Sequence, residues 1–208
     1  VERVEQIESD NNCSWQVVYE YFLYCEYDGK KDQIAVNKVV VSGGDSTPPV
    51  LVIPADIAVE CNAIPEVGTP TATDNCRGEV MISEVTETRI GDDDCAYIIE
   101  RMWTATDSCG NATTLTQTIS VNDTRGPKLN KGAKVPTGGT GMDVCYDKIP
   151  EGPSIADIKA LYSDNCGDVI VEKVPVFKGT DCSWKGYINY NVTDSCGNPG
   201  DTISLYYS

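Results

Sequence analysis

The sequence contains no histidine and only three methionines, and its 16 basic residues are set against 32 acidic ones. Without histidine the usual Ser-His and Cys-His nucleophile pairs cannot be built, and most catalytic zinc sites lose their commonest ligand. A formal net charge of −16 speaks against nucleic acid as a partner, because a binder must neutralise phosphates with Lys and Arg. No run approaches the ~20 apolar residues that a spanning helix needs. The opening Val1-Glu2-Arg3-Val4-Glu5 lacks the apolar centre of a signal peptide, so the segment reads as a mature, soluble piece of a longer chain that does not span a membrane.

Cysteine is plentiful, with ten in 208 residues. Consecutive cysteines lie twelve or more positions apart, whereas zinc ligand pairs normally sit two to four residues apart. Disulfides formed in an oxidising compartment are the economical reading.

The cysteines also reveal a repeat. Thr71-Ala72-Thr73-Asp74-Asn75-Cys76 and Thr104-Ala105-Thr106-Asp107-Ser108-Cys109-Gly110-Asn111 return as Ser163-Asp164-Asn165-Cys166 and Thr193-Asp194-Ser195-Cys196-Gly197-Asn198. Two units of four cysteines result: Cys61, Cys76, Cys95 and Cys109, then Cys145, Cys166, Cys182 and Cys196. The N-terminal stretch fits the back half of a third unit. Its Asn12-Cys13-Ser14-Trp15 matches Asp181-Cys182-Ser183-Trp184, and its second cysteine is Cys25. Turn-rich stretches at 42–49 and 122–127 act as short linkers and set the boundaries at 1–46, 47–124 and 125–208. The acidity is uneven: the middle unit carries 13 acids against 3 bases.

Between the turns the chain is rich in Val, Ile, Thr and Tyr. Strands are expected over 16–24, 34–41, 50–53, 57–60, 80–89, 96–106, 113–121, 169–176, 185–192 and 202–207. About seven short strands per unit predict an all-β fold of tandem immunoglobulin-like β-sandwich repeats stapled by disulfides. One short helix is expected in the last unit over 155–162, with Ser154 as its N-cap.

These segments resemble the HYR-like, immunoglobulin-like repeats of Bacteroidetes surface adhesins, especially gliding-motility adhesins of the SprB type. The resemblance rests on residues 43–49, 53–61, 71–76 and 103–111. It implies export by the type IX secretion system, display on the bacterial cell surface and assembly into long filaments. The implied partners are neighbouring repeats, outer-membrane anchoring or secretion machinery and surface glycans. Two stretches depart from the pattern: Lys128 to Gly141 replaces the Ile-Pro-Ala-Asp region, and the N-terminal half-unit lacks the Asp-Ser-Cys-Gly loop.

Two functional readings follow. The chain is either a spacer in an adhesin stalk, or a recognition module that binds a glycan or protein through its loops. No catalytic residues are identified; the acids Asp92 and Asp94 read as a solvated turn. Trp15, Trp103 and Trp184 suit core packing better than sugar stacking. Asn111 and Asn191 sit in N-glycosylation sequons. Ser46 and Thr202 fit the short acceptor motif for O-glycosylation that the family implies.

Following the strands up and down places Cys61 beside Cys95 and Cys76 beside Cys109. Cys95 and Cys109 themselves bracket one long strand and stand too far apart to pair. The expected bridges are therefore Cys61–Cys95, Cys76–Cys109, Cys145–Cys182 and Cys166–Cys196, with Cys13 and Cys25 pairing locally or with upstream cysteines. Asp45, Asp74, Asp107 and Asp123 either converge on calcium at the linkers or cap turns through hydrogen bonds to backbone N–H groups.

Overall fold

A computed structural model describes residues 2–11 and 13–208. The protein is mostly β. In chain order the strands are β1 (Glu2–Asn11), β2 (Ser14–Tyr27), β3 (Lys30–Gly44), β4 (Val50–Val52), β5 (Ile57–Glu60), β6 (Thr71–Thr73), β7 (Met81–Ile82), β8 (Thr86–Ile90), β9 (Ala96–Thr106), β10 (Ala112–Asn122) and β11 (Lys128–Leu129). After β11 come helix α1 (Ile155–Lys159), then β12 (Tyr162–Ser163), β13 (Val169–Thr180), β14 (Ser183–Asp194) and β15 (Ile203–Tyr207).

By packing, the chain forms two compact units that divide the middle sequence repeat. The first comprises the chain up to Ala55, Val67–Thr88 and Glu100–Gln117; the second comprises Asp56–Glu66, Arg89–Ile99 and Thr118–Ser208.

In the first unit β1, β2 and β3 form an antiparallel sheet with β2 in the centre. The turn Asp28-Gly29 between β2 and β3 has positive φ at both residues, the conformation that Asp-Gly hairpin turns supply. The core of this unit gathers Leu51, Trp103 and Ala105, flanked by Ile53, Ala72, Val80, Ile82 and Val85. The stretch expected as one strand over 80–89 is two. Ser83 accepts the backbone N–H of Thr104 on its hydroxyl, so a side chain replaces the backbone acceptor between β7 and β8, each of which pairs with β9.

In the second unit β5 pairs in parallel with the end of β10, and Ile99, Ile119 and Val121 pack there with Cys61 and Tyr97 at the edge. The antiparallel sheet β13-β14-β15 carries a larger core, in which Trp184, Ile188, Tyr190 and Val192 alternate inward along β14 with the period of two that a half-buried strand requires.

Ile158 of α1 completes that core. Ser154 caps the helix as expected, through a reciprocal bond with Asp157. The helix ends sooner than the sequence suggests, because Tyr162 is buried, pairs with Leu129 and donates its hydroxyl to the Asp201 carbonyl at 2.6 Å.

Trp103 and Trp184 are buried as core residues, but Trp15 is 41% exposed, which corrects the expectation of core packing for all three. Its ring lies against Gly43, on a sheet whose third strand is exposed along its whole length. Among the described residues no helix is long and apolar enough to cross a membrane.

Candidate functional site at the disulfide-linked junctions

The inward alternation of the central strands places an aspartate at the end of each core face: Ile99, Arg101, Trp103, Ala105 and then Asp107 along β9, and Tyr190, Val192 and then Asp194 along β14. Each aspartate organises the loop that follows. Asp107 Oδ1 accepts the N–H groups of Cys109 and Asn111, and its Oδ2 accepts the Asn111 side-chain amide. Asp194 makes the same three bonds with Cys196 and Asn198. A second loop type is shared as well, with Asp74 accepting from Cys76 and Asp164 from Cys166 and Gly167.

These loops hold the cysteines that make the bridges. Cys13 pairs with Cys109, Cys61 with Cys166 and Cys95 with Cys196, at Cα separations of 5.1, 5.7 and 5.4 Å. The bridges expected inside single repeats, Cys61–Cys95, Cys76–Cys109, Cys145–Cys182 and Cys166–Cys196, are therefore corrected. Cys25, Cys76, Cys145 and Cys182 are free thiols. The trace did separate Cys61 and Cys95 from Cys76 and Cys109, but at each end the facing cysteine belongs to the adjoining segment of sequence.

The pairing follows one rule. A cysteine just before a central strand (Cys13, Cys95) bonds the Asp-Ser-Cys-Gly-Asn loop of the segment that follows. Cys61, at the start of a short 3-10 turn (Cys61–Ala63), bonds the next Asp-Asn-Cys loop. Backbone contacts repeat with the bridges. The Asp45 N–H donates to the Cys13 carbonyl at 3.2 Å and the Asp123 N–H to that of Cys95 at 2.8 Å. Asn111 and Asn198 in turn donate to the carbonyls of Asp45 and Asp123. Gly126 is required at this junction because a side chain there would strike the Pro199 carbonyl.

Acidic groups gather at the same places. Asp45 and Asp74 lie together beside Cys76; Asp123 stands with Asp194, and also with Glu60. Asp45 uses Oδ1 to cap the Thr47 N–H. Asp74 Oδ1, Asp123 Oδ2 and Asp164 Oδ2 are buried without a hydrogen-bond partner. Burial foremost pushes the Asp123 carboxyl above its ordinary range. The N–H of Arg125 opposes this, and the charges of Asp194, Asp164 and Glu60 add to it. Asp107 differs: burial favours its neutral form, but the bonds from Asn111, Cys109 and Gly110 prevail and hold it below the usual carboxylate range. Of the four candidate cation ligands, Asp107 has both oxygens committed to its turn.

The amide of Asn111 is engaged by Asp107 and Asp45, while Ser46 and Thr202 are exposed. Asp94 pairs with Arg89 at 2.6 Å.

Residues 49–121 match the model of the HYR-like domain with 4 cysteines. No curated protein matches the chain. Among solved structures, a protocadherin gammaB7 EC3-6 cis-dimer structure aligns at 11% identity with a TM-score of 0.34, over 98% of this chain and 65% of that one. The protocadherin gammaB4 extracellular domain aligns at 12% and 0.35, over 98% and 43%. The chain thus spans less than two thirds of either structure, and such TM-scores do not define a shared topology.

Proposed function

We propose that this chain is a spacer segment from the stalk of an extracellular, bacterial cell-surface adhesin of the gliding-motility kind, carried out by type IX secretion and serving mechanics rather than catalysis. The segments 1–46, 47–124 and 125–208 act as successive repeats joined in series. The observation that carries this reading is the pairing rule: all three bridges tie a cysteine of one sequence repeat to a cysteine of the next. Stapling of this kind resists separation of neighbours, which is what a load-bearing stalk needs. Exposed Ser46 and Thr202 offer positions for O-linked glycans along its surface.

A recognition module would present its end loops to a ligand. Here the Asp107 and Asp194 loops are spent on the junctions. On a glycan array and in a cell-surface binding assay, the 208-residue chain is therefore expected to show no saturable binding. Specific, saturable binding would replace the spacer by the recognition reading.

We also infer a divalent-cation site, with calcium as the fitting ion, at Asp123 beside Glu60, and a lesser one at Asp45 and Asp74. Asp123 is 8% exposed and leaves Oδ2 unpartnered; hard cations take such carboxylate oxygens together with nearby carbonyls. Cys166 and Cys196 are oxidised and lend no ligand.

Calorimetric titration of metal-stripped protein is expected to show binding, and calcium at a hundredfold its dissociation constant stabilises by about 2.7 kcal/mol. Protons compete for Asp123, so affinity falls as pH drops through its raised pKa. Absence of both heat and a melting shift at millimolar calcium would leave these aspartates as turn caps only.

A further inference from the structure

Three of the four free cysteines occupy positions that are bridged elsewhere in the chain. Cys145 precedes the 3-10 turn Tyr146–Lys148, as Cys61 opens the turn Cys61–Ala63. Cys182 lies in the two-residue turn before β14, as Cys13 precedes β2 and Cys95 precedes β9. Cys76 occupies the Asp-Asn-Cys position of Cys166.

The two thiols of the last repeat share one face. The Trp184 indole N–H donates to the Val144 carbonyl at 2.8 Å, tying the start of β14 to the segment that bears Cys145. Cys145 and Cys182 line one open concavity of about 520 Å³, with Met142, Val144, Trp184 and Ser208, and both are exposed.

We propose that this face is a docking surface for one further HYR-like repeat, with Cys145 bonding that repeat's Asp-Asn-Cys loop and Cys182 its Asp-Ser-Cys-Gly-Asn loop. The proposal rests on the stalk reading and extends its junction. The partner is identified by continuity. At the established junction, Cys61 and Cys95 meet Cys166 and Cys196 of those two loop types, and the Cys95 carbonyl accepts the N–H of linker Asp123. The Cys182 carbonyl is the matching acceptor for the next linker.

Each bond forms by thiol–disulfide exchange. The Cys182 or Cys145 thiolate attacks a small-molecule disulfide such as oxidised glutathione and releases one thiol; the incoming thiolate then displaces the second. Two protein thiols are oxidised as one disulfide is reduced to two thiols.

The test is the full chain with residues 125–208 repeated once after Ser208. The appended copy carries Ile170→Val and Thr202→Ser, both at exposed positions, as mass markers, and Cys145→Ser and Cys182→Ser at its exposed thiols, so that only the original copy supplies these two cysteines. After oxidation in a glutathione buffer, non-reducing tryptic mapping is expected to link the Cys145 peptide to the marked Asp-Asn-Cys peptide and the Cys182 peptide to the marked Asp-Ser-Cys-Gly-Asn peptide. Alkylation of Cys145 and Cys182 should fall from nearly complete in the original chain to nearly none, while exposed Cys25 stays labelled in both. A Cys145–Cys182 linked peptide would overturn the proposal, as would full alkylation of both with Cys61–Cys166 and Cys95–Cys196 intact; the stalk reading survives either result. Loss of those two bridges in the original chain would overturn the stalk reading and this proposal together.

Discussion

Pulled from its two ends, the oxidised chain is expected to extend to about 130–140 Å, and the reduced chain to about 690–750 Å, at ~3.3–3.6 Å per extended residue. The difference follows from the shortest covalent route under load. That route runs from the N-terminus to Cys13, crosses to Cys109, returns along the chain to Cys95, crosses to Cys196 and continues to Ser208. Some 40 of the 208 residues then carry the tension, by the extended-chain spacing just used. Cys61–Cys166 lies off this route and holds the junction closed without setting its length. Bridges confined within repeats would give about 450–490 Å on the same spacing. Single-molecule force extension with and without reductant separates these cases: the middle value would restore pairing within repeats, and equal lengths in both conditions would remove the mechanical role of the bridges.

Much of the strand content was legible from alternation. Strand β9 begins and ends where its pattern of Ile, Trp and Ala predicts, and the strand β5 is found as expected. The N-terminal strand β1 was not anticipated: Glu2–Asn11 is rich in acidic and amide residues, and its pairing with β2 is a tertiary effect that overrides a weak local preference. The recurrence of Asp-Asn-Cys and Asp-Ser-Cys-Gly-Asn marks loops that share one bonding pattern, each aspartate accepting the N–H of the cysteine two residues on.

Pairing within closed repeats fails because each bridged loop meets a cysteine of the adjoining sequence repeat inside the same compact unit. One signal could have exposed this. Cys13 belongs to a half-unit without the Asp-Ser-Cys-Gly loop, so within its own unit it had no counterpart of that kind, and the nearest complete loop of the kind is that of Cys109. The cation ligands divide similarly. In the sequence Asp107 and Asp123 both read as turn aspartates, and only the bonding pattern separates Asp107, with both oxygens engaged, from Asp123, with one unpartnered.

Trp103→Ala is expected to cost about 3–5 kcal/mol of unfolding free energy, and Trp15→Ala less than about 1 kcal/mol. Both residues belong to the first compact unit, and both lie on central strands. Trp103 is 2% exposed and sits among Leu51, Ala105 and their apolar neighbours, so truncation removes a large apolar area and leaves a cavity that surrounding strands cannot fill. Trp15 is 41% exposed, with its ring over Gly43. Denaturant unfolding with the disulfides intact measures both losses against the same cross-linked unfolded chain, so the bridges cancel from the comparison. The contrast also bears on recognition, because a sugar-stacking ring must be reachable and Trp15 alone of the three tryptophans is. A Trp15→Ala loss as large as that of Trp103→Ala would mean that the open face of the N-terminal sheet is covered by another layer. A Trp103→Ala variant within 1 kcal/mol of the parent would mean that this core is not what holds the first unit together.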